Sequence, residues 1–84
     1  MKIRAGHVAA VTGAGSGIGR ALARDLASRG CHLALCDIDE VGLKETVDLV
    51  STAGVTVTAD ALDVADRGAV QRWAAKVISE YGRV

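Results

Sequence analysis

The sequence contains no proline, only two cysteines and no excess of either charge. Because proline is absent, no predicted helix or strand is interrupted by one. Cys31 and Cys36 are too far apart for a Cys-x-x-Cys redox or zinc motif, and two cysteines do not make a disulfide framework. We therefore predict two buried, reduced thiols and no metal site.

Charge and hydrophobicity exclude several classes of partner. Ten basic and ten acidic side chains cancel, and neither sign forms a long block, which argues against a nucleic-acid or membrane-surface protein. The apolar runs are only about five residues long, against the ~20 of a membrane span. The basic start at residues 1–4 is not followed by the apolar core of a signal peptide. We expect a cytoplasmic protein that binds a small molecule.

A short β-rich run, a glycine or aspartate turn and a helical period follow one another three times. This alternation predicts a parallel sheet with right-handed crossovers. The predicted fold class is α/β, a Rossmann-type three-layer sandwich, of which the chain forms the N-terminal βαβαβα half with parallel strand order 3-2-1. The whole chain, 1–84, is one partial Rossmann-like domain. Strands are predicted over 6–11, 31–36 and 55–62, and helices over 17–28, 40–53 and from 67.

Spacing along the helices predicts which side chains are buried. Ile18, Leu22 and Leu26 recur one turn apart and are expected to form the buried stripe of the first helix. Asp39 and Asp66 are expected to cap the second and third helices. The second strand is almost wholly apolar, which is typical of a parallel strand covered on both faces.

Glycine occurs at every second position from Gly13 to Gly19, between an apolar run and a helical pattern. A helix start leaves its first backbone N–H groups unpaired, so a diphosphate can bind there when no side chain blocks its approach. Glycine removes that obstruction and permits positive φ. A P-loop is excluded, because no Gly-Lys-Ser or Gly-Lys-Thr ends the loop. We predict a diphosphate site over 13–19, with a plain strand-to-helix turn as the alternative.

The glycine spacing is Thr12-Gly13-x-x-x-Gly17-x-Gly19, which differs from the commoner Gly-x-Gly-x-x-Gly. In this frame the chain resembles the short-chain dehydrogenase/reductase family, whose cofactor loop is Thr-Gly-x-x-x-Gly-x-Gly. The resemblance extends to Asp37 after the second strand, to Asp63-Val64 after the third, and to residues 81–84. It implies the NAD-binding N-terminal segment of an oxidoreductase that transfers hydride between NAD and an alcohol or carbonyl substrate.

Glycine-loop residues receive specific roles. The backbone from Gly13 through Gly17 to Gly19 would hold the diphosphate. Ser16 would offer a hydroxyl to a phosphate or to the adenosine ribose, or would be only a small loop residue. The resemblance implies that Ile18 borders the nicotinamide end of the cofactor, and this is compatible with its expected place in the buried stripe.

The acidic residues would hold the adenosine. Asp37 ends the second apolar run, about 20 residues after the glycines, where a dinucleotide site places its ribose acceptor. A 2′-phosphate would meet like charge there. The family's NADP-preferring members, whose loop this one resembles, place a basic residue near position 16 or just after Asp37, where this chain has Ser16 and Ile38. The resemblance therefore favours NAD over NADP. The resemblance implies that Asp63 and Val64 contact the adenine. The alternative for both acidic residues is simple support of the following helix start.

The family's catalytic serine, its Asn-Asn-Ala-Gly segment and its Tyr-x-x-x-Lys motif have no counterpart here. Tyr81 is the only tyrosine, and three residues follow it, so we interpret it as a helix-end packing residue and predict no catalytic residue. The chain alone should be inactive, as a fragment or truncated product. The missing C-terminal part, or self-association, would cover the exposed edge of the first strand. The alternatives are a non-catalytic nucleotide- or partner-binding module and, more distantly, a methyltransferase-type Rossmann domain.

Overall fold

A computed structural model describes residues 6–82 of the chain. Strands and helices alternate along it, as the sequence predicts. The elements are β1 (Val8–Thr12), α1 (Gly17–Ser28), β2 (His32–Asp37), α2 (Glu40–Val50), a 3-10 turn (Ser51–Ala53), β3 (Val57–Ala61) and α3 (Arg67–Tyr81).

The three strands form one parallel sheet in the order β1-β2-β3, which confirms the predicted order 3-2-1. The central strand β2 is buried on both faces, also as predicted. Leu33 and Leu35 pack in the core under α1 and α2. Ala34 and Cys36 face the other way, in a smaller core with Trp73 of α3. The sheet is therefore covered by two helices on one face and one on the other, which makes three layers.

Both predicted helix caps are confirmed. The Asp39 side chain accepts a hydrogen bond from the Gly42 amide, and the Asp66 side chain accepts one from the Ala69 amide. The helix after Asp39 ends at Val50, earlier than predicted, because its last residues tighten into the 3-10 turn. Asp37 is the last residue of β2, whereas the predicted strand ended one residue earlier.

The predicted buried stripe of α1 is wrong at two of its three positions. Ile18 is 88% exposed and Leu22 is 45% exposed, whereas Leu26 is buried. The buried face of α1 is made instead by Ala23, Leu26 and Ala27. The physical reason is close packing, since a Cβ on Gly19 would lie 2.0 Å from the carbonyl oxygen of Gly13. A helix this close to the loop and sheet presents its small side chains inward.

The predictions made for the two cysteines and for Tyr81 are confirmed. Both cysteines are buried and outside any disulfide, as predicted. Burial, and secondarily the Asp37 and Asp60 carboxylates, raise the pKa of the Cys36 thiol. Tyr81 packs at the end of α3, and its hydroxyl donates a 2.7 Å hydrogen bond to the carbonyl of Leu33, which confirms its packing role. Among residues 6–82, no helix is long and apolar enough to span a membrane, and no three His, Cys, Asp or Glu side chains are grouped as metal ligands.

Candidate functional site

The predicted binding residues lie along one edge of the sheet, at the carboxyl ends of its parallel strands. The glycine loop follows β1, Asp37 ends β2, and Asp63 comes shortly after β3. The Leu62 amide donates a 3.1 Å hydrogen bond to the Asp37 carbonyl, which ties the segment before Asp63 to the end of β2. In open α/β sheets this is the edge at which ligands bind.

One half of the glycine loop is fixed to the sheet. Ala14 and Gly15 are buried. The Ala14 amide donates to the Cys36 carbonyl at 3.1 Å, and the Gly15 amide donates to Oδ2 of Asp37 at 2.7 Å. We call these two residues the anchored half of the loop. Because both amides are already paired within the protein, neither is available to a phosphate.

The other half of the loop, residues 16–19, faces outward, and we call it the open half. Ser16, the N-cap of α1, has extended backbone, and its side chain makes no capping hydrogen bond. The first bond of the helix runs from the Arg20 amide to the Ser16 carbonyl at 3.3 Å. Within residues 6–82, no backbone hydrogen bond involves the amides of positions 17, 18 and 19. Unpaired amides at a helix start form a site for an anion.

The glycines are required at the loop for two different reasons. Gly13 and Gly17 have φ angles of +64° and +56°, and a Cβ at either would meet nothing within 4 Å. They therefore serve the left-handed backbone and keep the approach open. Gly15 and Gly19 instead lie against other atoms, since a Cβ on Gly15 would be 2.7 Å from Oδ2 of Asp37. These two glycines permit the close packing that gives the loop its shape.

The Asp37 carboxylate accepts hydrogen bonds on both oxygens. Oδ1 accepts from the Asp39 amide at 3.0 Å, and Oδ2 accepts from the Gly15 amide. Hydrogen bonds from backbone amides hold the pKa of Asp37 below its ordinary value. The bond from Asp39 has the largest effect, those from Gly15 and Ile38 add to it, and burial acts in the opposite direction. A carboxylate has about four lone-pair sites, so it can still accept from two ribose hydroxyls. Support of the next helix start and a role in binding are thus compatible.

The remaining predicted residues lie in exposed turns. Asp63 accepts a 2.9 Å hydrogen bond from the Ala65 amide through Oδ1, which shapes the turn after β3. Val64 in that turn is 55% exposed, although it is apolar. Ile18 is the most exposed large apolar side chain at the site, so its predicted place in the core is wrong. Exposed apolar side chains at such a site are able to cover a planar ring of a ligand.

Two residues near the loop were not identified from the sequence. The Arg20 side chain donates to the carbonyls of Gly15 and Gly42 and to the Thr46 hydroxyl, and it pairs with Glu45 at 3.7 Å. Thr46 is fully buried. The sequence did offer one indication for Thr46, which is its position on the apolar stripe of α2. A hydroxyl is unusual there and needs a hydrogen-bond partner.

A cavity of 270 Å³ lies elsewhere, between β3 and α3. Asp60, Trp73 and Lys76 contribute to its wall, and none of its lining residues belongs to the glycine loop. Within the described part of the chain, Oδ2 of Asp60 and Nε1 of Trp73 are buried without a hydrogen-bond partner. The carboxyl-end edge of the sheet, where the glycine loop lies, and this cavity are therefore separate places. Of the two, only the carboxyl-end edge combines helix-start amides with a carboxylate acceptor.

Comparison with known proteins identifies the family. The sequence model of the short chain dehydrogenase family matches residues 7–84. SadH of Mycobacterium tuberculosis is 51% identical over 79 residues, which cover 94% of this chain and 29% of SadH.

Solved structures give the same result. A short chain dehydrogenase/reductase from Burkholderia phymatum in complex with NAD is 43% identical with a TM-score of 0.93, and the match covers all of this chain and 30% of that one. A metagenomic short-chain oxidoreductase in complex with NADP is 34% identical with a TM-score of 0.89, over 98% of this chain and 37% of that one. The chain thus spans only about a third of the length of these relatives. The predicted Rossmann-type fold is confirmed, and the chain belongs to the short-chain dehydrogenase/reductase family.

Proposed function

We propose that the chain binds the adenosine diphosphate half of a nicotinamide dinucleotide, and that NAD is preferred over NADP. The observation that carries the proposal is a combination of two features at one edge of the sheet. The helix-start amides at positions 17 to 19 have no backbone hydrogen-bond partner, and the Asp37 carboxylate lies at the end of the next strand. The amides supply donors for a diphosphate, and the carboxylate supplies acceptors for ribose hydroxyls. A diphosphate next to a ribose is the chemistry that this pair recognises.

Each site residue predicted from the sequence has a role in this proposal. Gly13 and Gly17 keep the approach to the helix start open, and Gly19 holds α1 close to the loop. Ser16, whose side chain makes no capping bond, offers its hydroxyl to a phosphate or to the ribose. The exposed side chain of Ile18 borders the nicotinamide end. In the turn after β3, Asp63 accepts from the exocyclic amine of adenine and Val64 covers the ring.

The preference for NAD rests on charge at the ribose. Asp37 is held ionised by its amide donors, so a 2′-phosphate would be repelled there. The neighbouring positions carry Ser16 and Ile38, neither of which is a cation that could pair with a phosphate. A metagenomic relative was solved with NADP, so family membership alone does not decide between the two cofactors.

The activity of the longer protein is proposed from the family. The relatives are about three times longer than this chain, and the chain corresponds to their N-terminal part. We propose that residues 1–84 form the dinucleotide-binding part of an oxidoreductase in the cytoplasm, where cysteines remain outside disulfides. Hydride transfer would need residues outside this chain, since it contains no Tyr-x-x-x-Lys. The 84-residue chain should bind cofactor without turning over an alcohol or a carbonyl compound.

Direct binding measurements test the proposal. Isothermal titration of the 84-residue chain with NAD, with NADP and with S-adenosylmethionine separates the candidates. We expect heat of binding with NAD, weaker binding with NADP, and none with S-adenosylmethionine. Binding of S-adenosylmethionine without NAD would instead support a methyltransferase-type domain, and absence of binding to any of the three would favour a partner-binding module.

A further inference from the structure

We propose that Arg20 and Thr46 are positioning residues for the dinucleotide site. They hold the anchored half of the glycine loop by its carbonyl groups, and this keeps the amides of the open half free for a diphosphate. The inference rests on the proposed function, because it assigns the loop to dinucleotide binding. It concerns two side chains that do not themselves touch the ligand.

The hydrogen bonds run in a defined direction. The Arg20 Nε donates to the Thr46 hydroxyl at 2.9 Å, and that hydroxyl donates to the Ala14 carbonyl at 2.6 Å. The hydroxyl has one proton and lies farther from the Gly42 carbonyl, at 3.2 Å, so the Ala14 carbonyl is its main acceptor. The Nη2 of Arg20 donates to the carbonyls of Gly15 and Gly42. We call this arrangement the Arg20–Thr46 clamp.

The clamp completes the pairing of the anchored half. The amides of Ala14 and Gly15 donate to Cys36 and Asp37, while their carbonyls accept from Thr46 and Arg20. Both polar groups of both residues are therefore satisfied by the protein itself. Backbone groups that are fully paired and buried do not rotate toward solvent without losing those bonds.

Gly15 is held by hydrogen bonds on both of its peptide groups. On the amide side Asp37 holds the residue, and on the carbonyl side Arg20 holds it. Without the guanidinium, the carbonyl of Gly15 would be a buried acceptor with no donor, and the peptide would turn to find one. This carbonyl belongs to the Gly15–Ser16 peptide, so such a turn would move the start of α1. It would also loosen the adjoining Ala14–Gly15 peptide, whose amide donates to Oδ2 of Asp37. The clamp thus couples the diphosphate site to the ribose acceptor.

Close packing supports the same conclusion. A Cβ on Gly42 would lie 2.5 Å from the Gly15 carbonyl oxygen, so α2 approaches the loop backbone directly. Thr46 is fully buried at this contact and lies one turn beyond Gly42 on the same face of α2. The ion pair with Glu45 holds the partly exposed guanidinium from its outer side. Helix α2 is therefore the support against which the loop is held.

Amide hydrogen exchange in the ligand-free chain measures the clamp directly. In Arg20→Ala and Thr46→Val we expect the amides of Ala14 and Gly15 to exchange at least about tenfold faster, while Leu35 in β2 keeps its rate. Thr46→Ser retains the hydroxyl and should restore slow exchange. Arg24→Ala removes an exposed arginine one turn further along α1 and should change nothing.

Ligand binding then separates positioning from general stability. We expect ADP to bind about tenfold more weakly to Arg20→Ala and Thr46→Val than to the unmodified chain. Adenosine has no phosphate, so its affinity should fall much less. If Arg20→Ala does not fold, the comparison of Thr46→Val with Thr46→Ser still decides the question.

Two results would overturn the clamp. One is unchanged exchange at Ala14 and Gly15 together with unchanged ADP affinity. The other is a uniform rise in exchange across the chain with equal loss of ADP and adenosine, which would indicate a purely structural role. Failure of the unmodified chain to bind ADP would instead contradict the proposed function, whereas the exchange rates judge the clamp independently.

Discussion

Oδ2 of Asp37 accepts a 2.7 Å hydrogen bond from the amide of Gly15, and this bond joins the end of β2 to the loop after β1. The two residues are 22 positions apart in the sequence. The proposed ribose acceptor is therefore also a structural partner of the proposed diphosphate loop. Substitutions of Asp37 should consequently affect both the stability of the protein and its choice of cofactor.

The first prediction concerns pH. The pKa of Asp37 in the folded protein lies below the 3.8 of an unperturbed aspartate, so its ionised form stabilises the fold above that value. This stabilisation is lost as the pH falls through the folded pKa. Asp37→Asn should lower stability by about 1–2 kcal/mol near pH 7, with a much smaller effect near pH 2.

Thermal unfolding followed by circular dichroism across this pH range checks the prediction. Asp48→Asn is the matched control, because Asp48 is an exposed aspartate whose carboxylate forms a surface pair with Lys44. Its unfolding temperature should differ little from that of the unmodified chain. Equal unfolding temperatures for Asp37→Asn and the unmodified chain at every pH would contradict the expected role of the carboxylate.

The second prediction concerns close packing at Gly19. A Cβ there would lie 2.0 Å from the Gly13 carbonyl oxygen, so Gly19→Ala should destabilise the fold by about 1–3 kcal/mol in urea unfolding. Gly68→Ala is the control, since a Cβ on this helical glycine meets first the flexible end of Arg72, at 3.2 Å. It should be neutral or stabilise by up to about 1 kcal/mol. The same response from both variants would show that the loop contact is unimportant.

The third prediction concerns cofactor preference. Replacing Asp37 by serine and Ile38 by arginine removes the charge that repels a 2′-phosphate and adds one that attracts it. The ratio of affinities for NADP and NAD should rise by at least about tenfold. Titration of both cofactors measures it. Asp48→Ser combined with Leu49→Arg makes the same change of charge at exposed positions of α2 and should leave the ratio unchanged.

The fourth prediction concerns the exposed edge of the sheet. Among residues 6–82, β1 pairs only with β2 and is an edge strand, and its residue Ala10 is exposed. The longer relatives have further chain available to cover such an edge. The isolated 84-residue chain should therefore self-associate or have a low unfolding temperature.

Sedimentation velocity over a range of concentrations tests whether the chain self-associates through strand β1. Ala10→Lys should reduce association, because lysine on an edge strand disfavours pairing with another chain. Ala53→Lys, in the exposed 3-10 turn, is the control for added charge. A monomeric chain with one sharp thermal transition would show that β1 needs no cover.

Much of the fold could be predicted because local signals agreed with it. The apolar run of β2, the caps Asp39 and Asp66 and the alternation of elements all identified their structures. The stripe of α1 was mispredicted because helical spacing does not show how closely the helix approaches its neighbours. Gly19 brings α1 against the loop, and small residues such as Ala23 then face inward while Leu22 faces outward.

The candidate site was predictable only in part. The glycine frame and Asp37 were recognisable because they occur in a fixed local pattern that the family shares. Arg20 and Thr46 are 26 positions apart in the sequence, and no local sequence pattern predicts a contact between two such residues. The division of the loop into anchored and open halves likewise depends on tertiary hydrogen bonds, above all that of Gly15 with Asp37.

The most direct test of the account is an NMR titration of the ¹⁵N-labelled chain with NAD, in which each amide reports its own contact. We predict the largest shifts at Gly17, Ile18 and Gly19, with further shifts near Asp37 and Asp63. The absence of shifts at saturating NAD, or shifts confined to the cavity between β3 and α3, would contradict the assignment of the glycine loop as the dinucleotide site.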